Sequence, residues 1–132
     1  MGLPASPERD SVLGALGRIG KATLKRKIRS RAVSITDIVG DLFPDLDMVV
    51  DQAVDCRNYY VHGSVANLDY SKHVAQVHFF TDTLEFVFAA SDLVESGWDI
   101  SAWTKRMSTL SHPFGQYRFN YATQLSELKK VM

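Results

Sequence analysis

A chain of 132 residues, 45% apolar and 23% charged, fits one domain with a single core, and its lone cysteine, Cys56, excludes an internal disulfide framework. The first thirty residues lack an apolar run long enough for a secretory signal, and the most apolar stretch, residues 79–90, is broken by Asp82 and Glu85, so no membrane partner is expected. The formal charge of zero hides an asymmetry: residues 1–31 carry eight basic and two acidic side chains, residues 32–99 two and twelve, and residues 100–132 five and one. The chain reads as a soluble, cytoplasmic, single domain over residues 1–132. Met1-Gly2-Leu3-Pro4 gives no clear natural start and leaves open an origin as the C-terminal domain of a longer protein.

In chain order, Ser6-Pro7-Glu8 form an N-cap, a first-turn proline and an acidic first turn. Val12, Leu13, Leu16 and Ile19 follow at helical spacing, and Leu24 and Ile28 carry the line into the basic stretch of residues 21–31. Gly14, Gly17 and Gly20 weaken the first half of that helix. Lys25, Arg26, Lys27, Arg29 and Arg31 can track a phosphate backbone, although a solvated helix face is the commoner explanation for such a run. A short segment over residues 35–43 ends around Pro44.

The second long helix is predicted from an N-cap at Asp45 to about Val61, with Gly63 as a left-handed C-cap. A polar loop over residues 64–70 leads to a third long helix, capped by Ser71 and ending near Ser96-Gly97, with Val74, Val77, Leu84, Val87, Phe88 and Leu93 among its apolar positions. Asp99 caps a shorter helix to about Thr109, and His112-Pro113 break the chain before a last helix over residues 114–131. With no alternating strand pattern, the fold expected is all-α, a compact up-and-down bundle of four to five helices.

Projected at about 100° per residue, residues 45–62 form an amphipathic helix. Leu46, Val49, Val50, Ala53, Val54, Cys56, Tyr60 and Val61 share one sector, opposite Asp47, Asp51, Gln52, Asp55 and Asn58. Arg57 falls near the centre of the apolar sector. A guanidinium cannot shed its proton, so it must reach a carboxylate, snorkel out of the core, or face a cleft or a symmetric interface. Taken alone, His62 suits a helix C-terminus, where the dipole favours a cation. Asn58 stands one turn before it, within hydrogen-bonding reach.

The run Arg57-Asn58-Tyr59-Tyr60-Val61-His62 resembles the R-N-x-x-x-H signature of HEPN domains, the higher eukaryote and prokaryote nucleotide-binding superfamily, and is most similar to the Apea-like, abortive-infection-associated group. The segment from Phe114-Gly115-Gln116-Tyr117 through Asn120-Tyr121 is similar to that group's tail, less specifically. The resemblance implies a metal-independent endoribonuclease without cofactors, acting on RNA as a homodimer through the helix that carries Arg57 and His62. Arg57 and His62 would be the catalytic pair and Asn58 their support. It further implies a toxin-like effector in phage defence, restrained by an antitoxin or sensor domain. The alternative is a non-catalytic RNA-binding or dimerisation module, or the partner of a nucleotidyltransferase.

Other constellations are weaker. His73 and His78 are five apart and do not form an i, i+4 metal pair, so no metal site is expected. Tyr59, Trp98, Trp103, Tyr117 and Tyr121 have the chemistry to stack on bases but more often build a core. Cys56 reads as a small buried thiol rather than a nucleophile.

Overall fold

The helical periodicity becomes five α-helices in the computed structural model, which describes residues 21–66, 68–105 and 112–132. They are α1 (Lys21–Val39), α2 (Leu46–His62), α3 (Val74–Glu95), α4 (Ile100–Thr104) and α5 (Pro113–Val131), with a 3-10 turn, Gly40–Leu42, after α1. No strand occurs among the described residues, and the architecture is the all-α bundle expected. The predicted start at Ser6-Pro7-Glu8 and the end of the short helix near Thr109 lie outside those residues.

The boundaries depart from the sequence pattern in three places. Residues 35–39 continue α1, because Ile35 and Val39 extend the apolar line of Leu24, Ile28 and Ala32 that the core buries. Helix α3 starts at Val74, since the Ser71 hydroxyl is held by the Asp69 carboxylate at 2.6 Å in a preceding turn and does not cap. Its expected apolar positions Val74 and Leu93 are exposed, and Phe79, Phe80, Phe86, Val87 and Ala90 carry the buried face. At the start of α2, Asp45 takes a left-handed conformation (φ 58°) with no side-chain cap; its carboxylate accepts from Lys129 Nζ at 2.6 Å instead.

Other stops are as predicted. Gly63 adopts φ 66° and its N–H donates to the Tyr59 carbonyl at 3.0 Å. Asp99 Oδ1 accepts from the Ala102 N–H at 2.9 Å, and His112 Nδ1 accepts from the Phe114 N–H at 3.1 Å ahead of Pro113.

Helix α1 packs against α2 and α3, α2 against α3, and α3 against α5. An aromatic cluster joins α3 to α5 and to the turn before α2. Phe86 lies 4.7 Å from the Tyr117 ring centroid and 5.1 Å from that of Phe43, and Phe43 meets Tyr121 edge-on at 5.2 Å. The polar tips are satisfied. Thr83 donates to the Phe79 carbonyl at 2.8 Å, so the Tyr117 hydroxyl, 2.8 Å away, donates to Thr83; Tyr121 donates to the Pro44 carbonyl at 2.6 Å. Burial pushes both phenols above their ordinary pKa, and both stay neutral. Replacing Phe86 by alanine empties the centre of this cluster and is expected to cost about 3–5 kcal/mol, read as a lower urea midpoint at unchanged slope.

Candidate functional site

Helix α2 positions the motif. Its apolar sector is buried from Leu46 through Cys56, where α1 and α3 close on it. Beyond Arg57 the same sector opens: Tyr60 and Val61 are 59% and 58% exposed, although the wheel placed them with the core. The neighbouring bundle helices do not cover this last turn, and Val65 and Val74, in the segment that follows α2 and at the start of α3, are exposed as well.

Arg57 sits where burial stops. It is half-buried in a groove between α2 and α3 of about 320 Å3, with Cys56 and Tyr60 on one wall and Phe80, Leu84 and Glu85 on the other. Among the described residues no carboxylate lies within 4 Å of it. Its Nη1 donates to Asn58 Oδ1 at 3.0 Å. Of the options read from the wheel, the guanidinium takes a cleft and an amide partner.

Asn58 is the main correction at the site. Expected on the solvated side of α2 and in reach of His62, it is 2% exposed and bonded to Arg57, and Nδ2 has no hydrogen-bond partner among the described residues. Helix α1 packs along this side of α2 at Asp51 and Asp55, a side that a lone helix would leave wet. His62 is exposed at the helix end. Five residues of α-helix separate it from Arg57, a turn of about 140° around the axis, so one chain does not aim both at a single point.

The same packing decides the basic stretch. Lys25 Nζ lies 2.8 Å from Asp55 Oδ1, and Arg29 holds Asp51 in a bidentate pair with Nε–Oδ1 at 2.8 Å. Arg31 bonds Asp92 at 2.6 Å and Ser91 at 3.1 Å, with its guanidinium 4.9 Å from the Phe88 ring centroid. Arg26 and Lys27 are exposed and form no ion pair among the described residues. The acidic strip of α2, which would repel phosphate, is offset by cations expected to bind it. Asp51 in turn holds the Arg29 guanidinium above its ordinary pKa.

Glu85 is the residue that sequence reasoning missed. It registered only as a break in an apolar stretch, and that misplaced charge was the available signal; α3 turns it into the wall facing Arg57. The aromatic candidates divide. Tyr117 and Tyr121 belong to the core and Trp98 and Trp103 pack against it, whereas Tyr59 is exposed beside Tyr60, with ring centroids 5.1 Å apart. No group of three metal-ligating side chains occurs among the described residues, and no helix there is long and apolar enough to cross a membrane.

The model of the family described as Apea-like HEPN matches residues 3–101, well over half of the chain. No curated protein and no solved structure matches it.

Cys56, buried beside Arg57, yields a pH prediction. Desolvation pushes its thiol up from 9.0 to about 11. The fold favours the protonated form, so this contribution to stability is complete below pH 9 and fades as pH rises from 9 through about 11. Alkylation of the folded protein is expected to stay slow at pH 8 and accelerate towards pH 11, with denaturant removing the difference.

Proposed function

The chain belongs to the Apea-like HEPN family, and from that premise we propose that it is a metal-independent endoribonuclease working as a two-fold dimer, a toxin-like effector in phage defence. The observation that carries the reading is where burial ends on α2: a cation in a cleft that exposed Tyr60 and Val61 also line. Exposed apolar side chains beside a charged centre suit a second copy of the same surface. Two antiparallel α2 helices across a two-fold axis would bring Arg57 of one protomer towards His62 of the other, which the 140° separation denies within one chain.

The residues suit RNA chemistry. The ribose 2′-oxygen attacks the adjacent phosphorus, the bond to the 5′-oxygen breaks, and a 2′,3′-cyclic phosphate and a 5′-hydroxyl result. Imidazole exchanges protons near neutral pH, so the two copies of His62 divide the tasks of accepting the 2′-hydroxyl proton and protonating the leaving oxygen. Arg57, steadied by the buried amide of Asn58, offsets charge developing on the phosphate oxygens. The nucleophile belongs to the substrate, so this route calls for no metal.

The ion pairs of Lys25, Arg29 and Arg31 favour a second reading, a non-catalytic dimerisation module, because they leave fewer free cations for RNA. The two readings part in an RNA digest containing EDTA. Cleavage is expected to yield 2′,3′-cyclic phosphate ends, and Arg57→Ala or His62→Ala to lower its rate about a hundredfold or more, with the helical circular dichroism unchanged. Full activity in either variant rejects the enzyme; no cleavage by the wild type supports the module. Val61→Glu is expected to shift sedimentation from dimer to monomer, and an unchanged dimer would place the interface elsewhere.

A further inference from the structure

Glu85 also lines a second groove, between α3 and α5, of about 290 Å3, at the small end of ligand sites. The carboxylate is therefore a shared wall, with the Arg57 groove on one side and this groove on the other. Asp82, one turn earlier on α3, adds a second carboxylate to the rim. Neither forms an ion pair, and no lysine or arginine lines the groove among the described residues. Across from them α5 presents Asn120 and Gln124, and half-buried Phe114 closes one end. The Tyr117 hydroxyl on the floor is already committed to Thr83.

We propose that this groove is a base-recognition subsite for guanine in an RNA strand whose phosphate lies at Arg57. The proposal rests on the nuclease reading and names its substrate preference. Two carboxylates accept hydrogen bonds and donate none, so they reject phosphate and require N–H groups. Among the RNA bases only guanine offers two adjacent donors on its pairing edge, N1–H and the 2-amino group, which match a carboxylate bidentately. Adenine and cytosine set one amino group beside an acceptor nitrogen, and uracil flanks its single N–H with two carbonyls; each turns a lone pair towards the acid. The amides of Asn120 and Gln124 carry donors for the guanine O6 and N7, and Phe114 supplies a ring for stacking. A single-stranded base reaches such a groove only when splayed from its neighbours, as sequence-specific RNA recognition ordinarily requires.

Nucleosides, which hold no bond to cleave, test the subsite apart from the chemistry. In calorimetric titrations of the wild-type protein, guanosine is expected to bind about tenfold more tightly than adenosine, cytidine or uridine. Asp82→Asn and Glu85→Gln are each expected to remove most of that preference. Equal binding of the four nucleosides overturns the proposal, as does binding of spermidine in place of guanosine, which would mark a site for organic cations. With RNA strands that carry one guanine, the cut is expected to move with it, and cleavage that ignores its position also overturns the subsite. Guanosine preference without any RNA cleavage instead removes the nuclease reading and leaves the pocket.

Discussion

Carboxylates on a helix that is packed along most of its length need cations close by, and this requirement organises the bundle around α2. Asp51 and Asp55 find Arg29 and Lys25 on α1. Partner numbers rise by four on one helix as they fall by four on the other, so the two helices run antiparallel in one register. A slip of one turn that set Arg29 against Asp55 would leave Lys25 and Asp51 without their partners' charges. Exposed ion pairs add little stability; their value here is alignment, while Leu24, Ile28, Ile35, Val49 and Val50 supply the buried area.

That alignment has consequences at the other end of α2. With α1 on its acidic side and α3 on its apolar side, the apolar sector of the helix is sheltered up to Cys56 and opens beyond Arg57. Arg57 stands at the transition, braced by the oxygen of a buried amide whose nitrogen has no hydrogen bond among the described residues. An unsatisfied buried donor costs about 1–3 kcal/mol. The fold tolerates that cost beside the one arginine of the apolar sector, which fits a side chain held for a purpose other than stability.

The aromatic cluster between α3 and α5 serves two ends. Its buried rings join the last helix to the turn that starts α2, through Tyr121 and Pro44. Its outer edge forms the floor of the groove that ends at Glu85. Charges that interrupt the apolar run of α3 thus fall on two groove rims, because residues three apart on a helix share a side.

Much of this was legible from the amino-acid order alone. Apolar spacing, Gly63, Asp99 and Pro113 set the helices and most of their ends, since those signals act within a few residues. The motif from Arg57 to His62, and with it the family, could also be read directly. What a helical wheel cannot hold is the neighbour. It treats every polar side as wet, so it placed Asn58 in water, and every apolar side as dry, so it buried Tyr60 and Val61. It could not pair Lys25 with Asp55 across thirty residues of chain, nor see that Glu85 faces Arg57. Those are decisions of tertiary packing: exposure and charge pairing depend on which surfaces meet, and local sequence carries no record of the opposite surface.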